Sequence, residues 1–262
     1  MGVVNVTPDS FSDGGRFLSA EAAIAQALRL VDEGADIVDL GAESSRPGSE
    51  PIPAEEEIRR LRQVLKGLAG RVTARISVDT TKAEVAAEAL NLGATMVNDI
   101  TAASDADMME VVQKHCGALV LMHMRGTPRT MQQDTTYVDV VNEVRQFLSE
   151  RVAAARHAGI REILVDPGIG FGKSVQQNVE LLQRLGEFRS LGCPILVGPS
   201  RKSFLGAISG CRDAASRLPE SLGAVCAAVM AGAEYVRVHD VAECRRALAI
   251  VDAVRGVQWT AS

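Results

Sequence analysis

Residues 5–15 read Asn-Val-Thr-Pro-Asp-Ser-Phe-Ser-Asp-Gly-Gly, directly after the short apolar run Gly2-Val3-Val4. This stretch carries the amide of Asn5, the carboxylates of Asp9 and Asp13, and three hydroxyls, and it ends on paired glycines. Such a segment builds no core. Its groups suit a mobile lid over an anionic, metal-bound substrate. Polar residues of the same kind recur along the chain, each time at the end of a short apolar run. They are Asp39 to Gly48, Ser77 to Thr80, Asn98-Asp99-Ile100, Met122 to Pro128, Asp166 to Lys173, Gly198 to Gly206, and Arg237 to Asp240. Any one of them has a plain explanation as a helix cap, a turn or a solvated cation. Eight in series call for a scaffold that brings them to one place.

The runs that precede them are strand-like: 2–6, 36–40, 75–79, 95–98, 118–122, 162–166, 194–197 and 234–238. Between them lie stretches with apolar residues at helical spacing: 19–34, 54–68, 82–92, 105–115, 136–158, 176–191, 215–232 and 240–254. Ile58, Leu61, Val64, Leu65 and Leu68 are one such set. Gly34, Gly93, Gly117, Gly159, Gly192 and Gly232 stand where helices should end. Eight β-then-α units without a break predict a single-domain α/β (β/α)8 TIM barrel over 1–262, whose chemistry sits at the C-terminal strand ends. An open doubly wound sheet is the alternative, but no G-x-G-x-x-G follows the first strand.

Composition narrows the class of protein. Aromatic residues are 3% of the 262 and hydrophobic ones 47%, so the core must be aliphatic. A net charge of −5 argues against nucleic acid or a membrane surface as partner. Five cysteines without a C-x-x-C pair argue against a zinc site or disulfide framework and point to a reducing, cytoplasmic setting. No apolar span is long enough to cross a bilayer.

The eight polar segments, in order from residue 2 to about 240, resemble the motifs of the dihydropteroate synthases. That family condenses 6-hydroxymethyl-7,8-dihydropterin diphosphate with p-aminobenzoate, with Mg2+ on the leaving diphosphate. The resemblance implies a pterin site of Asp79, Asn98, Ile100, Met122, Asp166, Phe171, Gly198 and Lys202. Within it, Asp166 would accept the ring's donor edge and Lys202 would donate to the ring. It implies a diphosphate site of Asn5, Arg46, Arg237 and His239, with Asn5 also touching the metal. It implies a p-aminobenzoate site of Phe11, Ser45, Pro47, Lys202 and Ser203, which sulfonamides would share as competitors. Asp79, Lys202 and Arg237 would carry the catalytic electrostatics of a dissociative, SN1-like reaction, and His123 would be structural. The family also leads us to expect a homodimer through the later helices.

The chain departs from the family pattern in places. An N-terminal hairpin that usually closes the barrel floor has no counterpart before strand one, so a trimmed start or an open floor is expected. Ala42 and Ser45 stand where Gly and Thr are usual, and Thr101-Ala102-Ala103 replaces Ser-Gly-Gly. Alanine should avoid the left-handed backbone that glycine allows, so this turn is expected to change shape, and sulfonamide affinity to change with the neighbouring site. A methyltransferase barrel, a non-catalytic pterin-binding barrel and an unrelated phosphate barrel are the rival readings. The first two would not need the lid, Arg46 and Lys202-Ser203 together.

Overall fold

The computed structural model describes residues 1–6, 16–45 and 48–257, and only the backbone of 16–19. Phe11, Arg46 and Pro47, with Asp9 and Asp13, lie outside the described residues.

Strands β1 (Gly2–Asn5), β2 (Ile37–Gly41), β3 (Arg75–Asp79), β4 (Met96–Asp99), β5 (Ala118–Met122) and β6 (Ile163–Asp166) form one parallel ladder in chain order. The short strands β7 (Leu196–Val197) and β8 (Tyr235–Val236) pair separately, also in parallel. Single bridges, Val165 to Ile195 and Gly2 to Val238, join the two sheets at both seams. The strands therefore follow one another around a ring, although no continuous eight-strand ladder forms. This is the α/β barrel architecture that the repeated units predict.

Helices cover the outside: α1 (Arg16–Asp32), α2 (Ala54–Leu68), α3 (Ala83–Asn91), α4 (Met108–Lys114), α5 (Val140–His157), α6 (Val175–Gln183), α7 (Ser203–Ser209), α8 (Leu218–Ala231) and α9 (Val241–Val254). Local chemistry sets their ends. In α2, Glu55, Glu56 and Glu57 occupy the first turn and Lys66 the last, as the helix dipole favours, while Leu61, Val64, Leu65 and Leu68 are buried. Ser174 and Gln177 close a reciprocal capping box on α6. The helix expected over 176–191 is instead α6 followed by a 3-10 turn, Leu185–Leu191. The reason is spacing: Leu185, Phe188 and Leu191 are buried three apart, which a three-residue turn places on one side. Five of the six expected terminal glycines are left-handed, but at the end of α4 that conformation falls on Cys116 (φ +51) rather than Gly117.

Strand side chains alternate in and out, and the two faces have different fates. Val38, Leu40, Val78, Val97, Leu119, Leu121, Val165 and Val197 belong to the large cluster between sheet and helices. Met1, Ile37, Met96, Ala118, Val120, Leu164 and Leu196, with Tyr235 against them, form a separate cluster inside the ring. Two residues further along each strand comes the next inward position. There stand Asp39, Asn98, Met122, Asp166, Gly198 and Arg237. An apolar plug thus supports a polar layer at the C-terminal rim.

Candidate active site

Four strands contribute to one buried polar chain across the rim. Asp39, with no exposed surface, accepts Arg237 Nε at 2.6 Å and Asn98 Nδ2 at 3.1 Å on the same oxygen, Oδ2. Arg237 Nη2 donates to Asp79 Oδ2 at 2.8 Å. Burial pushes the Asp79 carboxyl up to about 7, against the pull of Arg237; Asp39, Glu57 and Asp99 add to the rise. Arg237 therefore stands between two carboxylates instead of facing the site as an unpaired cation. Gly41 lies beside Asp79 on β2, where an added Cβ would approach the Asp79 Cβ to 3.6 Å. Asp79 and Ile100 border an open cleft of about 260 Å3, with Glu43, Ser45, Glu57 and Thr80 among its other walls.

A second group stands at the end of β6. Asp166 Oδ1 accepts the Gly168 N–H at 2.7 Å. Burial lifts its carboxyl to about 6, opposed by that hydrogen bond and by Lys202, Lys173 and Arg237. Lys202 Nζ sits 3.7 Å from the centre of the Phe171 ring, a cation–π contact. Burial and Arg237 pull its ammonium down to about 8, while Asp166 and Asp79 oppose the fall. Phe171, Met122 and Ile100 pack together with Met131 as a small apolar cluster at the rim, separate from the plug below. The site thus combines a flat apolar wall, a buried acceptor and cations, which fits a flat heterocycle with a donor edge.

His239 is neutral. Burial, helped by Arg201 and Arg237, holds its imidazole near 4. The Ser200 hydroxyl accepts the His239 backbone N–H at 3.3 Å and faces Nδ1 at 3.0 Å. The hydroxyl can give its hydrogen to Nδ1, which leaves Nε2–H free to face the site. Asn5 is half-buried at the end of β1, Ser45 half-buried after β2, and Ser203 exposed as the first residue of α7. Gly198 adjoins Arg237, with 3.6 Å between an added Cβ and the arginine Cβ.

The β4–α4 turn overturns one expectation. Ala102 and Ala103 both adopt left-handed backbone, φ +55 and +58. The buried Asp99 carboxylate holds the turn through the Thr101 and Ala103 N–H groups and the Thr101 hydroxyl, at 2.7 to 3.1 Å. Arg151 on α5 holds both alanine carbonyls, at 2.7 and 2.5 Å. These bonds override the preference of alanine.

Three groups escape the sequence reading as site residues. Asp39 is one, although period two already places it inward, where an acid needs a partner. Lys82 is another. Its ammonium bridges Glu43 and the fully buried Glu57 at 2.5 and 2.7 Å, tying α3 to the β2–α2 connection and to α2. The third is Lys173, buried beneath the Asp166 loop.

The chain is a parallel β/α ring with buried acids at the strand ends, and residues 1–239 match the family described as "Pterin binding enzyme". A dihydropteroate synthase of Synechocystis is 46% identical over 97% of this chain and 89% of its own length. A dihydropteroate synthase of Xanthomonas albilineans, solved with 4-aminobenzoic acid, superposes with a TM-score of 0.92 at 45% identity, covering 98% of this chain and 93% of that one. The same organism's enzyme in complex with 7,8-dihydropteroate gives a TM-score of 0.88 at 43% identity, with coverage of 98% and 93%. The chain belongs to the dihydropteroate synthases.

Proposed function

We propose that this chain joins 6-hydroxymethyl-7,8-dihydropterin diphosphate to p-aminobenzoate, forming 7,8-dihydropteroate and releasing pyrophosphate. The observation that carries the reading is the placement of Asp166, Lys202 over Phe171, and the Asp39–Arg237–Asp79 chain on one rim. Ionised above pH 6, Asp166 accepts the 2-amino and ring N–H donors of the pterin, while Asn98 and Lys202 serve the rest of its edge. Met122, Ile100 and Phe171 cover its faces, and Gly198 leaves room beside Arg237. His239 offers Nε2–H to the diphosphate, with Arg46 and Arg237 as the cationic groups. Ser45, Ser203 and Lys202, with Phe11 and Pro47, would enclose p-aminobenzoate, and sulfonamides would compete there.

The C–O bond to diphosphate breaks first, and its electron pair leaves with pyrophosphate. The cation at the exocyclic methylene is shared by the pterin ring. The aniline nitrogen donates its lone pair to form the C–N bond, then loses a proton to water. Asp79 lowers the energy of the cation, and Arg237 steadies the departing charge through its place beside Asp79. Exclusion of water protects the cation from hydrolysis.

Asn5 places an amide oxygen on the rim, and a small hard cation that keeps most of its waters needs only one or two protein oxygens. Among the described residues no group of three or more His, Cys, Asp or Glu is gathered for a metal. Asn5 would hold Mg2+, which would neutralise the charge of the leaving diphosphate. The exposed Met230, Ile250 and Val254 on α8 and α9 support a homodimer through these helices. Five free thiols support a cytoplasmic location, and among the described residues no helix is long and apolar enough to cross a membrane.

The test is formation of dihydropteroate from both substrates with Mg2+, followed by chromatography. Product that falls at least tenfold in Asp166→Asn and Lys202→Met supports the assignment. Folded protein that makes no product, or variants as active as the parent, would overturn it.

A further inference from the structure

Lys173 ends the glycine-rich loop between β6 and α6, and it is only 4% exposed. Lysines are rarely buried without a carboxylate, because an ammonium loses its water at a high cost. Here none of the hydrogen-bond partners of Nζ is a carboxylate. Nζ meets Phe171 O at 2.8 Å, Gly168 O at 3.0 Å and His123 Nδ1 at 3.1 Å, with His123 O at 3.4 Å beyond them; burial pulls this amine down to about 7, while Asp166 opposes the fall. His123 is matched to this duty. Burial and the charges of Lys173 and Arg125 hold its ring near 3, so the imidazole is neutral and can accept from Lys173 Nζ through Nδ1.

Each partner adjoins a residue of the proposed pterin site or is one. Gly168 is the residue whose N–H fixes Asp166 Oδ1. Phe171 lies under Lys202. His123 directly follows Met122 at the end of β5. The loop is shaped to bring these carbonyls inward. Gly168 is left-handed (φ +72), and a Cβ there would fall 1.9 Å from His123 O. Gly170 (φ +82) gives its N–H to Asn178 Oδ1 at 2.7 Å, and a Cβ there would meet Lys202 Cδ at 2.7 Å.

We propose that Lys173 is a positioning residue for the pterin. Its buried ammonium ties the ends of β5 and β6 together and thereby sets the orientation of the Asp166 carboxylate and the Phe171 ring. This rests on the assignment of Asp166 to the pterin edge. An apolar side chain of equal length would fill the space yet leave the Phe171 carbonyl without its lysine donor and Gly168 O with only the Phe171 N–H, and the loop would turn the Phe171 carbonyl elsewhere. Of the aminobenzoate groups only Lys202 meets this loop, at Phe171 and Gly170, so the effect should fall mainly on the pterin.

The experiment measures KM for each substrate separately in the full chain carrying Lys173→Met, with Asp166→Asn as the reference. Lys173→Met should raise KM for the pterin diphosphate at least tenfold and change KM for p-aminobenzoate less than twofold. Asp166→Asn without an effect on the pterin KM would overturn the assignment, and the proposal with it. A strong Asp166→Asn effect beside unchanged, or equally raised, constants in Lys173→Met would overturn the proposal alone. Should Lys173→Met fail to fold, two replacements of His123 decide the matter. His123→Asn keeps an acceptor near the place of Nδ1 and should have a pterin KM several-fold below that of His123→Leu. Equal values for the two would overturn the proposal.

Discussion

Asp39 and Arg237 meet at 2.6 Å although 198 residues separate them, and their ion pair links β2 to the end of β8 across the ring. Asp39 is fully buried and also receives Asn98, so one carboxylate oxygen organises three strands. The pair shapes the site before any substrate arrives, because Arg237 holds Asp79 with its other arm.

Removing the buried partner of an ion pair costs more than the pair itself contributes. Asp39→Ala should therefore destabilise the protein by about 3 kcal/mol, and Asp39→Asn by less, since the amide oxygen still accepts a hydrogen bond. Urea unfolding measures both. A loss under about 1 kcal/mol for Asp39→Ala would mean that the pair is not a structural hub.

The pH dependence of binding and that of stability should run in opposite directions. Asp166 titrates near 6 in the folded chain, above the ordinary carboxylate value. A raised carboxylate pKa means that the folded state holds the proton more tightly. This contribution to stability is fully present below the unfolded pKa of about 4 and is lost as pH rises through 6. Pterin recognition needs Asp166 ionised and the cation needs Asp79 ionised, so kcat/KM for the pterin should fall from about pH 7 downward as Asp79 and then Asp166 take up protons, while this contribution to stability grows. A kcat/KM that stays flat down to pH 5 would show that Asp166 is not the acceptor.

The strained turn at Ala102 and Ala103 should relax with glycine. Left-handed backbone costs a residue with a Cβ about 1 kcal/mol, and part of that returns as chain entropy when glycine replaces it. Each single Ala→Gly change should therefore stabilise the fold by about 0.5 kcal/mol or slightly more. Thermal unfolding checks this. Destabilisation by both changes would mean that the alanine methyls contribute packing that outweighs the strain.

Much of this fold is legible in the sequence, because its strands are apolar runs of even spacing and its helices have apolar stripes. Asp39, Asn98 and Asp166 are legible too, as each stands two residues beyond a member of the plug. What sequence leaves out is partnership. The pairing of Arg237 with Asp39 and Asp79 is hidden because neither acid is near it in the chain. Lys173 reads as a solvated loop residue because lysine usually is one, and the cage that holds it exists only after β5 and β6 are side by side. Ala102 and Ala103 read as right-handed because Asp99 and Arg151 lie outside any local preference. The 3-10 turn after α6 shows its three-residue spacing only once Leu185, Phe188 and Leu191 are known to be buried.

His239 should act through its orientation and not through charge. Ser200→Ala removes the hydroxyl that faces Nδ1 at 3.0 Å. Losing about 1 kcal/mol of hydrogen bond should raise KM for the pterin diphosphate about fivefold and leave that for p-aminobenzoate unchanged. An unchanged pterin KM would separate His239 from the diphosphate.

The central claim is that one rim binds the pterin diphosphate and delivers its methylene carbon to p-aminobenzoate. Pyrophosphate release by the purified chain, measured with Mg2+ in the presence and absence of p-aminobenzoate, tests it most directly. Rapid release should occur only when p-aminobenzoate is present, with one dihydropteroate formed per pyrophosphate. Release at the same rate without p-aminobenzoate, or tight pterin binding with no release at all, would contradict it.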